Sequence, residues 1–292
     1  MTLNVQPGFL WNDSIWNPSM ISTALWLDAA DASTVTTVSS AVSQWNDKSG
    51  NGRNATQATA GNRPVYQASA QNGLNAVRFT AASSHFLTAG TTSTWNFLHN
   101  GTNSAVFLVS RVRNTGDNPD VQHTYLSTGG AASGGIGYWI AYDDTASASR
   151  NNALNIRVAN SAAGGGGTYA SNDATNNKIT PGTYYILSSY VDADNATAAN
   201  KTVQRIDGSA SFGSNVSTNA PSASNSTYAL TLGRDLVTTS VDFTGDICEV
   251  LIFNTQPDTL DRQKLEGYLA HKWGLEANLP NDHPYKTTGP TP

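Results

Sequence analysis

At 292 residues the chain can bury roughly three quarters of its extended surface, enough for one large all-β domain or two small ones, and one large domain is the simpler reading. Charged residues make up only 13%, with 16 basic against 21 acidic and a formal net charge of -5, so neutral Ser, Thr, Asn and Gly must supply most of the solubility. That balance gives no electrostatic footprint for a phosphate backbone or an anionic membrane, and the lone Cys248 excludes an internal disulfide.

The opening stretch Met1–Pro7 lacks the basic segment and apolar core of a secretory signal, and no later run approaches a membrane span. A native start, with delivery by lysis or assembly, is the expectation. Phe9, Leu10, Trp11, Ile15 and Trp16 follow among Pro, Gly and Asn with no strand or helix period. These aromatic and aliphatic side chains need a packing partner, either this domain or a neighbour in an assembly, so residues 1–20 read as an arm and 287–292 as a tail around a domain at 21–286.

Regular apolar spacing begins with Leu25 and Leu27 around Trp26, a short strand ending near Asp28. The 31–40 segment is Ser/Thr-rich, and Val42 to Trp45 opens a second ordered piece. Then comes a dense turn signature, Trp45 to Ala55, in which Asp47 and the Asn residues bond locally while Gly50 and Gly52 permit left-handed backbone. A strand resumes over 75–79, with Val77 and Phe79 facing one way and Ala76 and Arg78 the other.

Further strands are predicted over 105–112, 137–142, 153–158, 184–191, 201–209 and 228–233, with Asp207-Gly208 suited to a hairpin turn. The run Gly164 to Gly167 reads as a connection, since it lacks the Lys-Ser/Thr continuation of a phosphate loop. The aliphatic strand Gly245–Asn254 contains Cys248, which reads as a small buried hydrophobe. After it, Leu265, Tyr268, Leu269 and Trp273 fall at i, i+3, i+4 and i+8 and draw one apolar stripe on a helix. Asp258 or Thr259 can cap its start, and Gly274 can end it. Many short strands, Gly/Asn turns and one late helix predict an all-β sandwich of two antiparallel sheets, with the helix packed at its edge.

On these pieces the chain resembles the concanavalin A-like, laminin-G-like jelly-roll superfamily of bacterial and phage surface proteins. The resembling segments are Ala24–Ala29, Gln44–Gly52, Ala76–Phe79, Gly245–Phe253 and Arg262–Leu275, spread over about residues 22–286. The resemblance implies structural duty for Trp26, Trp45, Asp47, Gly50, Gly52, Cys248, Leu265, Tyr268, Leu269 and Trp273. It also implies one of three roles: a glycan-binding module, an adhesive or virion assembly module, or a polysaccharide hydrolase or lyase and its accessory domain. The leading expectation is a non-enzymatic virion or extracellular surface module, partnered by copies of itself or by structural proteins, with polysaccharide as a further ligand and neither nucleic acid nor membrane insertion.

Catalytic motifs are not evident. Asp246 and Glu249 stand three apart, which on a regular strand puts them on opposite faces and unsuits them to flank one bond. The five His are isolated and there is no Gly-x-Ser-x-Gly elbow. Asp192 and Asp194 are candidate calcium ligands, although Thr197 and Val203 at positions six and twelve break the EF-hand pattern, so no cofactor is otherwise expected. For glycan, Tyr138 and Tyr142 on one sheet face beside Asp143 and Asp144 offer an aromatic platform with hydrogen-bonding groups.

Overall fold

A computed structural model describes residues 16–113, 122–129, 135–144, 152–160, 167–171, 179–192, 195–197, 200–212, 222–237 and 241–292. In chain order its strands are β1 Leu25–Asp28, β2 Val35–Val38, β3 Ala41–Trp45, β4 Ala55–Thr56, β5 Val65–Gln71, β6 Leu74–Phe79, β7 Leu87–Ala89, β8 Ser104–Val112 and β9 His123–Ser127. They continue as β10 Ile136–Asp143, β11 Ala153–Asn160, β12 Gly167–Ser171, β13 Tyr185–Val191, β14 Thr202–Ile206, β15 Ser209–Phe212, β16 Leu230–Leu232 and β17 Gly245–Phe253, followed by helix α1 Thr259–Trp273.

All pairings are antiparallel and sort into two layers. In one, β15, β14, β13, β8 and β17 lie side by side, with β1 and β6 end to end along the far edge of β17. In the other, β12, β11, β10, β9, β16, β7 and β4 follow one another. β3 pairs with β2, β4 and β5 and so stitches the layers together at one end. The predicted jelly-roll sandwich is thus the observed architecture. The Ser/Thr-rich 31–40 segment, which carried no strand expectation, supplies β2 by pairing with β3.

Alternation along each strand divides apolar residues between two cores. Val106, Leu108, Ile140, Ile156, Ile247, Val250 and Ile252 fill the space between the layers. Phe107, Val109, Ile186, Cys248, Leu251 and Phe253 point outward from the first layer, where Leu265, Tyr268, Leu269 and Trp273 of α1 cover them at the edge of the sandwich. Asp258 caps the helix by accepting from the Asp261 N–H at 2.9 Å, and Gly274 ends it at φ 66°.

The 45–55 turn is held by its acid. The Asp47 carboxylate accepts from the backbone N–H of Trp26 (3.0 Å), Ser49 (2.9 Å) and Arg53 (3.0 Å), pinning the turn against β1. Gly50 and Gly52 sit at φ 85° and 70° with nothing within 4 Å of an added Cβ, so backbone conformation rather than space demands glycine there. Trp16 is buried, meets Tyr268 edge to face at 6.3 Å, and donates its backbone N–H to the Pro290 carbonyl at 3.2 Å. Self-packing therefore accounts for Trp16, whereas Phe9, Leu10, Trp11 and Ile15 lie outside the described residues.

Strand β17 corrects one expectation. Its register against β8 shifts between Ile247 and Glu249, leaving Cys248 as an extra residue in a β-bulge. Asp246 and Glu249 consequently share the outward face: Asp246 accepts from the Tyr184 hydroxyl (2.8 Å) and Glu249 from Tyr268 (3.0 Å). Regular alternation fails at the bulge, so spacing by three no longer means opposite faces.

Candidate functional site

Two constellations of polar side chains lie along α1. Near its C-terminal end, Asp28 on β1 stands opposite Glu249 on β17, and both are buried. The Lys272 ammonium donates to Asp28 Oδ1 at 2.6 Å and to Glu249 Oε2 at 2.7 Å. Glu249 also accepts from Trp26 Nε1 (2.8 Å) and Trp273 Nε1 (2.8 Å), while Lys48 reaches Asp28 (3.0 Å) and Asp31 (2.9 Å). Burial alone would raise the Asp28 pKa, but Lys272 and Lys48 overcome it and hold the carboxyl below its ordinary range. At Glu249 burial outweighs Lys272, and the pKa is raised.

These two carboxylates share one ammonium between them, so neither is free to donate a proton to a bound substrate or attack it. The cluster is a closed ion network that clamps the helix to the sheet. Two hollows open beside it. One, about 460 Å³, runs past Ser22, Asn51, Arg53 and Asn254; the other, about 720 Å³, past Asp31, Ala32 and Leu74, and both reach Trp26 and Lys48.

The second constellation lies where β14 passes the start of α1. A groove of about 360 Å³ has Tyr190 in its lining, with Arg205 on β14 and Arg262 on α1. Asn103, Gln256 and, from the β13–β14 connection, Asn195 and Asn200 complete the lining, the Asn195 amide being tied locally to Asp192 at 2.7 Å and to the Thr197 N–H at 2.9 Å. Local folding explains the convergence. Val203 and Arg205 alternate with Thr202, Gln204 and Ile206, whose side chains are buried, so Arg205 faces the helix side of the sheet. The Gln256 N–H donates to the Asn103 carbonyl at 3.1 Å, joining the strand that enters the helix to the approach to β8. Tyr190 is 7% exposed and packs edge-on against Phe107 at 5.7 Å, which fixes its ring.

The residues singled out from sequence are distributed differently. Tyr138 and Tyr142 are 0% and 1% exposed in the core between the layers, which corrects the expected glycan platform: neither ring has a face to offer a sugar. Asp143 beside them is buried and accepts from Gln122 (2.7 Å) and Asn155 (2.9 Å), while Asp144 is half-buried. Alternation showed that the two tyrosines share a face but not that the face is inward. Of the calcium candidates, Asp192 lines the β14 groove and accepts from Asn195 Nδ2 at 2.7 Å; Asp194 lies outside the described residues. Among the described residues no group of three or more His, Cys, Asp or Glu is placed to hold a metal, and no helix is long and apolar enough to cross a membrane.

The sequence carries no match to a family model or to a curated protein. The fold does have solved counterparts. It is similar to the receptor binding domain of botulinum neurotoxin D (11% identity, TM-score 0.56, 84% of this chain and 52% of that one). It is also similar to the botulinum neurotoxin serotype G binding domain (13%, TM-score 0.55, 84% and 50%). A third is domain 4 of AbnA, a GH43 extracellular arabinanase from Geobacillus stearothermophilus, in complex with arabinotriose (13%, TM-score 0.50, 79% and 91%). The chain spans about half the length of the toxin binding domains and nearly all of the arabinanase domain. At these identities the likeness is one of fold: a concanavalin A-like jelly-roll sandwich.

Proposed function

We propose that the chain is a non-catalytic glycan-binding module, and that the groove between β14 and the start of α1 is its combining site. The observation that carries this reading is an open groove of the sandwich whose lining gathers Asn103, Asn200 and Gln256 together with Arg205 and Arg262. Amides both donate and accept, which is what reading adjacent sugar hydroxyls requires. Support also comes from the arabinanase domain, a sandwich of nearly the same extent solved with arabinotriose. The one lysine-bridged carboxylate pair described above gives no acid/base apparatus, so an accessory binding role is favoured over hydrolysis.

A glycan array followed by calorimetry on the purified chain tests this. Saturable binding to a glycan class, weakened about tenfold by Asn200→Ala and with no release of reducing ends, is expected. Silence across the array overturns it.

Residence on a virion or cell surface is a finer part of the same proposal. It draws on the neutral polar composition and the superfamily resemblance, and detection of the chain in purified particles tests it.

A further inference from the structure

The β14 groove has a charge pattern that neutral sugar recognition does not need. Arg205 donates Nη1 to the Gly208 carbonyl at 3.1 Å, and its buried Nε has no hydrogen-bond partner. Among the described residues, no carboxylate lies within ion-pair distance of the Arg205 guanidinium. Arg262 is the second guanidinium in the lining, and its partner is Glu266 at 2.7 Å. Glu266 is fully buried behind the groove and also engages His283 at 3.1 Å. Asp192, the acidic residue of the lining, is already engaged by the Asn195 amide at 2.7 Å.

Burial and then the like charge of Arg262 both disfavour the protonated form of Arg205. The fold therefore lines the groove with two guanidinium groups, one from β14 and one from α1, accompanied by Glu266 behind Arg262 and by Asp192 at the Asn195 turn, in a chain whose net charge is -5. Bringing an anion into such a place removes a repulsion as well as adding an attraction. A guanidinium presents its N–H groups as a planar fork that matches a carboxylate edge to edge, and the same groove carries amides suited to ring hydroxyls. Its volume of about 360 Å³ is at the small end for a ligand site, the scale of one or two sugar rings.

We infer that this groove takes an acidic saccharide, with the carboxylate of a uronate residue held between Arg205 and Arg262 and its hydroxyls met by Asn200 and Gln256. The inference rests on the glycan-binding reading above and narrows it to a chemical class.

The test is calorimetric titration of the whole chain with a panel of galacturonate, mannuronate and glucuronate oligosaccharides, their methyl esters, and arabinotriose as a neutral probe. At least one acid should bind, about ten- to hundredfold tighter than its ester, with affinity falling as salt rises. Arg205→Gln should lose that preference, its acid and ester affinities converging. Arg205→Lys, which keeps the charge without the fork, should recover part of it. Equal affinity for acid and ester, or an Arg205→Gln variant that still prefers the acid, overturns the inference but leaves glycan binding standing. Silence toward the whole panel overturns the inference, and only silence on the full glycan array removes the wider reading with it.

Discussion

At the C-terminal end of α1 the buried charges meet opposite charges: Lys272 joins Asp28 to Glu249, and Lys48 closes the network through Asp28 and Asp31. Near the N-terminal end Arg205 has no carboxylate partner among the described residues, although it lies beside a second arginine. Both regions use the same helix and the same face of the same sheet, but Asp28, Glu249 and Lys272 are buried whereas Arg205 and Arg262 are half-buried, and the two ends differ in whether charge is compensated from within. Closure makes a scaffold. An open valence points to something supplied from outside.

The contrast can be broken most forcefully at Lys272. Lys272→Met leaves two buried carboxylates facing each other without their cation and should cost about 3–5 kcal/mol in a urea denaturation series. A loss below 1 kcal/mol would mean that the network is decoration.

Asp207, in the β14–β15 turn, probes an intermediate case, a buried carboxyl with no ion pair among the described residues, whose pKa burial raises to about 7. The folded state then keeps a proton that the unfolded chain releases near ~3.9, so stability falls as pH rises from about 4 to about 7 and is level above that. Asp207→Asn should abolish this slope and gain on the parent by on the order of 3 kcal/mol at pH 8, with little difference at pH 4. Asp28 and Asp246, whose pKa values are lowered, act in the opposite sense, losing stability as pH falls below about 4. The two windows separate in a pH series of melting midpoints.

A smaller effect tests how redundant the closed end is. Trp26→Phe removes one of several donors to Glu249 while keeping an aromatic ring, and should cost about 1–2 kcal/mol by chemical denaturation. Smallest of all, Arg205→Gln breaks no ion pair and gives up the single Nη1 bond to the Gly208 carbonyl, so it should cost at most about 1 kcal/mol. A marked destabilisation there would make Arg205 part of the scaffold and erase the comparison.

Much of this frame was readable in the chain. The stripe of Leu265, Tyr268, Leu269 and Trp273, the caps at Asp258 and Gly274, and the Asp47–Gly52 turn all depend on local spacing, and local spacing survives folding. What could not be read depends on partners. The bulge that brings Glu249 onto the face of Asp246 is a property of β17 and β8 together, visible only in their register. Tyr138 and Tyr142 were paired correctly on one face, but which side of a β10 with buried neighbours on both faces becomes the inner layer is decided by the rest of the sheet. The groove was invisible for a third reason: Asn103, Arg205 and Arg262 come from distant segments, and each alone looks like an ordinary surface residue. The signal that was available, an arginine alternating into the helix-covered side of a strand, would have needed the helix position to interpret.

The hydrogen bond from Trp16 to Pro290 closes the described chain nearly into a ring. The tie fastens the first described residue to the last segment of the chain, and Trp16 in turn rests edge-on against Tyr268 of α1, so loosening the segment around Pro290 would loosen the grip on the helix from a point far away in sequence.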